Sequence, residues 1–517
     1  MAEFVKQYDE KGEAYVALTL ASGTADAAPA YSVDRLIDAL EFLAKSGGNV
    51  RLAESTAIAL NDDQLRRLKV TGLCSGIRAL NANRSSQKVS TLSRAAAATA
   101  PIQLCIKDTE TPVTVYGVVV DCGANTVENQ WAAVRVENAA DVTLEQVAVK
   151  RAAKGVCIVA RGHCPRLKLL KCGVTSRDTA FIFGVTPGLA STLPAEIVNA
   201  HKEPGVHGVV IEGIRETGVQ PDKALYKAGA ELYTYKEGAY PTDVTVEGLY
   251  AVGVYYGLNA NGVRGLTVSN SRFYHVVRGM SIQHRSSVVV IDKCSISDPV
   301  SAGVHLAYGV RDVQVVGTVC SYYVNARGEA GFQAYIDCHD VTFSRCRYER
   351  AAAGTAVLDI TKHGLQYGFY TAIDCSSIVF EGCTATGGFQ KAAFAAESQW
   401  LPTTAGTPAA TVNYVNHRMV GKPAEAAEEV FMAKGDTVGV VWRNCTASGY
   451  TTTVQNTIDG KHPDAVGFWM LGRPGSRSEP RRELHITHFN LAVFLPALGR
   501  GMYAVFGSVG DGVRIYS

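Results

Sequence analysis

The sequence has few charged residues, few prolines and no long apolar run. Charged residues make up 19% of the 517 residues, against 47% apolar residues, and there are only 17 prolines. Such a composition is typical of a folded chain with a large core. The net charge of +2 gives no reason to expect nucleic acid or an anionic membrane as a partner. No apolar stretch reaches the length that crosses a bilayer, so we expect no membrane insertion.

Cysteine is also too sparse, at 13 residues, for a disulfide scaffold. The recurring spacing of two cysteines with seven residues between them is not that of a zinc site, and no histidine pair supports a metal cluster. We therefore expect no metal and no cofactor.

A secretory signal is absent as well. Residues 1–20 begin with acidic and polar side chains and contain no apolar segment followed by a cleavage site. The sequence therefore predicts a protein that stays in the cytosol or leaves by a route without a signal, such as assembly into a virus particle in the host cytoplasm and lysis.

A short motif with a cysteine at each end occurs three times, as CPRLKLLKC (164–172), CHDVTFSRC (338–346) and CSSIVFEGC (375–383). When the first cysteine is position 0, apolar residues occupy +3 and +5, and the second cysteine is +8. The same pair of apolar positions recurs throughout the chain, at Val142 and Leu144, Val244 and Val246, Leu266 and Val268, Val289 and Ile291, Val313 and Val315, Val440 and Trp442, and Leu484 and Ile486.

A second short strand precedes many of these motifs, at 132–139, 279–286, 303–310, 331–338 and 368–375. Two strands of period 2 in a repeat of 22–28 residues, without helical periodicity, predict a solenoid of stacked coils. The leucine-rich signature, the obvious alternative at this period, is missing. The predicted fold class is therefore all-β, a right-handed parallel β-helix in which each coil buries its inward face against its neighbours.

The fold explains the cysteines. Positions 0 and +8 lie at the bends that flank a strand, where a small apolar side chain fits the interior. We therefore expect Cys338 and Cys375 to stack in one column and Cys346 and Cys383 in another, as reduced structural thiols.

A cap is predicted before the coils. Apolar residues recur at helical spacing from Leu36 to Ala44, Gly47 and Gly48 end the helix, and strands are predicted at 49–55 and 65–73. A helix at the open end of a β-helix would cover its core and protect its strand edges.

This helix, the Gly-Gly pair and the strand ending in Val70-Thr71-Gly72 resemble the N-terminal cap of pectate-lyase-superfamily β-helix proteins, and in particular of bacteriophage tailspikes and capsule depolymerases. The resemblance is one of fold: no catalytic motif of the family matches residue by residue. It implies a parallel homotrimer that binds or cuts a bacterial surface polysaccharide, and contacts with other virion proteins of the tail, baseplate or neck. The chain departs from tailspikes in having no large particle-binding domain before the helix.

The domain prediction follows from these patterns. It comprises an attachment or linker segment (1–30), a capping helix with the first strands (31–100), the β-helix (101–460) with insertions at 175–240, 347–367 and 384–436, and C-terminal coils with a cap and trimerisation region (461–517).

Candidate site residues lie on the outward positions of the second strand and in the turn after it. Amides, a histidine and tyrosines with little charge suit sugars, although an ordinary solvated sheet face would look the same. The candidates for substrate binding are Arg285, His305, Gln333, Tyr335 and Tyr370.

Two aspartates, Asp337 and Asp374, occupy matching positions next to the cysteines and are the catalytic candidates. In neighbouring coils their carboxylates would lie about 5 Å apart, the separation that a retaining glycosidase uses. The alternative is that both cap a turn through backbone N–H groups.

The function predicted here is that of a tailspike-like virion protein that binds a bacterial surface polysaccharide and, if it is an enzyme, depolymerises it as a glycoside hydrolase or lyase. Two alternatives stay open: a non-enzymatic spike, collar or decoration protein, and a cellular polysaccharide lyase or epimerase. Outward valines at +4, including Val290, Val379 and Val441, favour a homotrimer because such a face is costly to expose.

Overall fold

The computed structural model contains two compact units. The N-terminal unit comprises residues 1–185 and 192–252, and the C-terminal unit comprises residues 186–191 and 253–517. The structure describes residues 4–19, 31–53, 55–79, 89–123, 132–152, 156–161, 164–176, 181–183, 210–212, 215–217, 228–232, 241–322, 330–350, 365–372, 375–386, 389–397, 438–443, 446–448, 466–471, 484–487 and 513–516.

Each unit is a parallel β-helix of three sheets. One coil of chain contributes one strand to each sheet, and between Gly48 and Arg443 the parallel pairs join a strand to the strand three positions later in the chain. We call the sheets 1, 2 and 3 in the order in which the chain meets them in a coil. The one antiparallel pair that the structure describes joins the strands Gln7–Tyr8 and Ala14–Thr19.

In the N-terminal unit, sheet 1 contains Gln7–Tyr8, Ala14–Thr19, Tyr31–Ser32, Gly48–Leu52, Cys74–Ala79, Val113–Tyr116, Val142–Glu145, Lys168–Leu170, Val210–Glu212 and Thr242–Glu247. Sheet 2 contains Ala57–Leu60, Ser90–Arg94, Val118–Asp121, Ala148–Ala152, Gly173–Ser176, Arg215–Thr217 and Tyr250–Val252. Sheet 3 contains Lys69–Val70, Leu104–Thr109, Ala132–Ala139, Val156–Arg161, Phe181–Phe183 and Ala228–Leu232.

In the C-terminal unit, sheet 1 contains Arg264–Ser269, Ser287–Asp292, Arg311–Val316, His339–Ser344, Ser376–Glu381, Val438–Arg443, Leu484–Thr487 and Val513–Tyr516. Sheet 2 contains Arg272–Tyr274, Ser295–Ser297, Val319–Tyr322, Arg347–Arg350, Thr384–Thr386 and Thr446–Ser448. Sheet 3 contains Tyr256–Asn261, Arg278–Gln283, Ala302–Ala307, Ala330–Tyr335, Leu365–Ala372, Phe389–Glu397 and Val466–Leu471.

The prediction of two strands per coil was wrong, because the strands of sheet 2 were missed. Most of them are only three or four residues long, such as Ser295–Ser297, too short to show an alternating pattern. Strands of the coils also occupy parts of the stretches predicted as insertions, namely Phe181–Phe183, Val210–Glu212, Arg215–Thr217, Ala228–Leu232, Arg347–Arg350, Thr384–Thr386 and Phe389–Glu397.

The stacking predicted for the +3 position is confirmed. Val313 pairs with Val341, and Val341 pairs with Ile378, so the three residues lie above one another, and all three are buried. At +5, the rings of Phe343 and Phe380 stack with their centroids 5.0 Å apart. Residues dozens apart in sequence thus form continuous columns in the core.

A column of glycines sets how closely sheet 3 approaches sheet 2 in the C-terminal unit. A Cβ at Gly303 would lie 2.4 Å from the carbonyl oxygen of Gly331 and 2.6 Å from the Sγ of Cys320. A Cβ at Gly331 would lie 2.4 Å from the ring of Tyr348. The same conflict arises at Gly257, Gly279 and Gly368. Only glycine therefore fits this position, which lets sheet 2 carry large inward side chains.

The turn from sheet 1 to sheet 2 in the C-terminal unit is built around one residue at positive φ. The residues in this column are Asn270, Lys293, Gly317, Arg345 and Gly382. Each of the first four donates its N–H to a carbonyl of the next coil, as Lys293 does to Val316 at 2.9 Å. The following residue, at +8, turns inward and is buried.

The column at +8 explains the cysteines. Its members are small and carry a hydrogen-bond donor: Ser271, Cys294, Thr318, Cys346 and Cys383. The thiols of Cys346 and Cys383 each donate to a carbonyl oxygen of the preceding coil, that of Val315 and that of Phe343, both at 3.3 Å. The thiol therefore fills the bend and satisfies a buried backbone acceptor.

The cysteine prediction is confirmed for the described residues. Cys338, Cys346, Cys375 and Cys383 are buried and form no disulfide, and the same holds for seven further cysteines of the described part. No group of three metal-binding side chains occurs among the described residues.

The cap is a helix, Leu36–Ser46, preceded by the 3-10 turn Val33–Arg35. It packs against the first strands of the N-terminal unit through a buried face that includes Leu36, Leu40 and Leu43. Gly47 follows at φ 78° and donates its N–H to the carbonyl of Leu43. None of the described helices is long and apolar enough to cross a membrane.

The strand predicted at 65–73 is largely wrong. Residues Asp62–Arg67 form a second helix and only Lys69–Val70 is a strand. Asn61 and Gln64 form a capping box, in which each side chain accepts the backbone N–H of the other residue at 3.0 Å, and this starts the helix. Within the segment predicted as a linker, Ala14–Thr19 pairs with Gly48–Leu52 and so belongs to sheet 1.

We predict that Gly303→Ala destabilises the protein by about 1–3 kcal/mol or more, because the new methyl group has no room beside Gly331 and Cys320. Gly317→Asn is the matched control: its position tolerates positive φ and already holds asparagine at the equivalent Asn270. Chemical denaturation followed by circular dichroism measures both. Equal stability of the two variants would contradict the glycine column.

Buried thiols should make the protein sensitive to alkali. Burial raises the pKa of Cys74 to about 11 and those of Cys172 and Cys294 to about 12, from an ordinary 9.0. Above pH 9 the unfolded chain ionises its thiols and the folded chain does not, so the free energy of unfolding falls as pH rises towards 12.

The variant Cys294→Thr, which repeats the residue found at Thr318 in the same column, should flatten this fall while changing stability at pH 7 by less than about 1.5 kcal/mol. Denaturant unfolding at pH 7 and pH 10 measures both quantities. A variant with the alkaline slope of the wild type would show that Cys294 does not contribute.

Candidate functional site

The predicted site residues of the C-terminal unit fall on two neighbouring features. His305, Gln333 and Tyr370 lie on the outer side of sheet 3, on three consecutive strands. Arg285 and Asp337 lie in the turn from sheet 3 to sheet 1. Asp374 lies outside the described residues, and so does the side chain of Val441.

The polar ladder exists, but it is not a solvated face. His305 pairs with Gln333, and Gln333 pairs with Tyr370, as the repeat predicts. All three side chains are buried, with exposed fractions of 3%, 0% and 4%. This burial corrects the expectation of an open surface: the strands of sheet 3 are buried on both faces, as is usual in parallel sheets.

Hydrogen bonds within the ladder account for part of this buried polarity. The Nδ1 of His305 lies 2.7 Å from the Oε1 of Gln333, so the imidazole donates there in its Nδ1–H form. One coil earlier, Gln283 donates to the hydroxyl of Ser281. The Nε2 of Gln333 has no hydrogen-bond partner among the described residues. The ladder is therefore held rigidly and retains one unused donor.

Tyrosines extend the ladder into an apolar cluster. The rings of Tyr367 and Tyr370 stack with centroids 4.3 Å apart and planes inclined by 3°, and the ring of Tyr335 lies 6.2 Å from that of Tyr370. Ala330, Ala372 and Ala395 complete the cluster. Tyr335 and Ile336 pack against the cluster and are half-buried, so the cluster reaches the surface through these two residues.

The turn from sheet 3 to sheet 1 uses two consecutive residues at positive φ. The pairs stack in successive coils as His284-Arg285, Tyr308-Gly309 and Ile336-Asp337. Their N–H groups donate along the stack, for example from Arg285 to the carbonyl of Tyr308 at 2.8 Å. Ile336, with φ of 59°, is strained because a β-branched side chain disfavours this conformation. Such strain is typical of functional sites.

Arg285 and Asp337 converge over the glycine between them. A Cβ placed on Gly309 would lie 3.3 Å from the Cγ of Arg285 and 3.4 Å from the Oδ2 of Asp337. Both charged side chains are exposed, whereas Gly309 beneath them is buried. The stem of an arginine and a carboxylate from coils that are not adjacent thus both approach the glycine between them.

Aromatic rings line the same turn, and one of them, Tyr308, was not among the predicted site residues. The ring of His284 stacks on that of Tyr308, with centroids 5.1 Å apart and planes inclined by 7°. Burial, helped by the positive charge of Arg285, lowers the pKa of His284 to about 4. The sequence could have identified this column, because His284, Tyr308 and Ile336 each lie two residues before position 0 of their motif.

Comparison with known proteins agrees with this architecture. Residues 234–401 match the family model described as right-handed β-helix region, and the predicted fold class, a right-handed parallel β-helix, is confirmed. No curated protein matches the sequence.

Several solved structures are similar at low identity. One is PfbA, a surface adhesin of Streptococcus pneumoniae, with 12% identity, a TM-score of 0.47, and coverage of 72% of this chain and 91% of that one. Another is the catalytic domain of a GH87 alpha-1,3-glucanase in complex with tetrasaccharides, with 10% identity, a TM-score of 0.40, and coverage of 88% and 70%. A third is the A-module of the mannuronan C-5 epimerase AlgE4 of Azotobacter vinelandii, with 11% identity, a TM-score of 0.38, and coverage of 81% and 90%.

We predict that His284 makes the C-terminal unit sensitive to mild acid. The unfolded chain protonates this histidine near its ordinary pKa of 6.5, whereas the folded chain does so only near 4, so stability falls as pH drops through that interval. The variant His284→Phe keeps a ring on Tyr308 but cannot titrate. It should therefore lose less thermal stability than the wild type between pH 7 and pH 5.

Melting temperatures at the two pH values provide the measurement, and His339→Phe serves as the control for removing a half-buried histidine elsewhere. The same acid sensitivity in His284→Phe and the wild type would contradict the assignment.

Proposed function

We propose that the protein is a tailspike-like virion protein that binds a bacterial surface polysaccharide along the turn from sheet 3 to sheet 1 of its C-terminal unit. The observation that carries the proposal is that the exposed side chains of Arg285 and Asp337 both approach Gly309, in a turn that follows Tyr335 and contains Tyr308.

This combination suits a sugar polymer. Aromatic rings pack on the apolar faces of sugars, and a guanidinium and a carboxylate hydrogen-bond to hydroxyls as donor and acceptor. Successive coils place a turn of the same backbone conformation about every 4.8 Å, so an extended polymer can contact the different side chains of several coils. Tyr335 packs against Tyr370 of the buried ladder, with the ring centroids 6.2 Å apart.

Depolymerisation is the finer part of the proposal. It assigns Asp337 and Asp374 as a carboxylate pair about 5 Å apart, which would act as acid and nucleophile on a glycosidic bond. Exposed Asp337 is accessible to a substrate. The order of the flanking strands supports the pairing, since His339 pairs with Ser376 and Tyr335 with Ala372.

The virion assignment rests on the resemblance of the N-terminal cap to that of tailspikes. With it come the proposals of a parallel homotrimer and of contacts with other virion proteins. Analytical ultracentrifugation of the purified chain tests the trimer, and a monomer at micromolar concentration would contradict it.

We predict that Asp337→Asn weakens retention of the protein on the polysaccharide it recognises by roughly tenfold, through loss of a charge-assisted hydrogen bond. Asp340→Asn is the matched control, because Asp340 is also exposed and at positive φ but lies on the outer face of sheet 1. Immobilised surface polysaccharides from a panel of bacterial strains provide the assay.

The same panel tests cleavage, through the chain length of the polysaccharide after incubation. Shortened chains with a new reducing end support a hydrolase, and chains ending in an unsaturated sugar support the lyase alternative. Binding by no member of the panel, or equal binding by both variants, would contradict the proposed site.

A further inference from the structure

A buried carboxylate and a surface histidine meet on a different edge of the C-terminal unit, in the turn from sheet 2 to sheet 3. The Nδ1 of His275 lies 2.7 Å from the Oδ2 of Asp298. The side chain of Asp298 is only 1% exposed, whereas that of His275 is 43% exposed. One end of the imidazole therefore faces a buried charge, and the other end is open to solvent.

The coil repeat produces this pair. His275 and Asp298 are 23 positions apart and follow neighbouring strands of sheet 2, Arg272–Tyr274 and Ser295–Ser297. Both have positive φ, and the N–H of His275 donates to the carbonyl of Ser297 at 3.1 Å. A buried carboxylate needs a polar or charged partner, so Asp298 holds the imidazole in place.

The contact is short, although its geometry is not that of a straight hydrogen bond to Oδ2. In known enzymes, hydrogen bonds between catalytic groups are often poorly aligned until the substrate is bound. A carboxylate oxygen 2.7 Å away favours a hydrogen on Nδ1, which leaves the Nε2 of His275 as the acceptor.

An aromatic surface lies beside this acceptor. The ring of Tyr274 is 3.9 Å from that of His275, and Tyr274 is 37% exposed. The hydroxyl-bearing Ser297 pairs with Tyr274 in the neighbouring coil and is half-buried. A sugar ring can thus pack on Tyr274 with a substituent close to the imidazole.

We propose that His275 is the general base, and Asp298 its positioning residue, of a site that hydrolyses an O-acyl ester on a sugar. The proposal concerns an activity and an edge separate from the polysaccharide-binding turn, so either proposal can fail without the other.

The step balances without a cofactor. The Nε2 of His275 takes a proton from a water molecule as the water oxygen bonds to the acyl carbon. The bond between that carbon and the sugar oxygen then breaks, and the imidazolium returns its proton to the departing oxygen. The products are a carboxylic acid and a sugar hydroxyl, and Asp298 stabilises the imidazolium between the two transfers.

An ester fits this pair better than a glycosidic bond does. Glycoside hydrolysis uses two accessible carboxyl groups on either side of the bond. Asp298 is buried and paired with His275, so it cannot reach an anomeric carbon. A single imidazole that gives back the proton it takes is sufficient for acyl transfer to water.

Hydrolysis of p-nitrophenyl acetate by the full chain tests the proposal. We expect His275→Asn to lower kcat/KM by roughly 100-fold, the usual contribution of a general base. We expect Asp298→Asn to lower kcat with little change in KM, because a neutral amide no longer favours the Nδ1–H form. Free imidazole should restore part of the activity of His275→Gly and none of that of Asp298→Asn.

His339→Asn is the matched control, since His339 is a half-buried histidine of the same unit outside this turn. Circular dichroism confirms that each variant is folded, and Asp298→Glu replaces Asp298→Asn if the latter unfolds. A wild-type rate no higher than that of buffer, or equal losses in His275→Asn and His339→Asn, would overturn the proposal.

Discussion

The pairing of each coil with its neighbours is the interaction on which the structure depends. A single coil has three short strands and an inward face that it cannot bury alone, so its core is formed by residues of the coils on either side. The glycine column shows how closely neighbouring coils pack, because at Gly303 and Gly331 even a methyl group would lie within 3 Å of a backbone oxygen. The register in which the inward residues pair therefore also fixes the position of every outward side chain.

The register made much of the fold predictable from the sequence. The pair of apolar positions within each motif identified sheet 1, and the second strand predicted before it identified sheet 3, because both sheets have strands long enough to alternate. Strands of sheet 2 such as Ser295–Ser297 have only one inward residue. They are therefore too short to show an alternation of buried and exposed residues in the sequence. The helix at Asp62–Arg67 was missed for a different reason: its capping box is a local signal that the strand pattern of the neighbouring residues concealed.

The sequence predicted where the residues of the ladder lie, but not whether their side chains are exposed. Sequence spacing alone places His305, Gln333 and Tyr370 on one line, and the pairing follows that line. Spacing says nothing about what covers a face, and the ladder is buried. Spacing also places Arg285 near the column of Asp337, but it does not predict their approach to the same glycine, which depends on two consecutive residues at positive φ in each turn.

The turn from sheet 1 to sheet 2 of the C-terminal unit tolerates very different side chains at one position. Its single residue at positive φ is asparagine, lysine, glycine, arginine and glycine in five successive coils, and the backbone bonds that define the turn use none of these side chains. The side chains along this edge can therefore change without disturbing the buried residue that follows each of them. The charge of these residues can therefore be changed in each coil separately without altering the fold. Natural selection or protein design could use them as a row of sites for binding or attaching other groups.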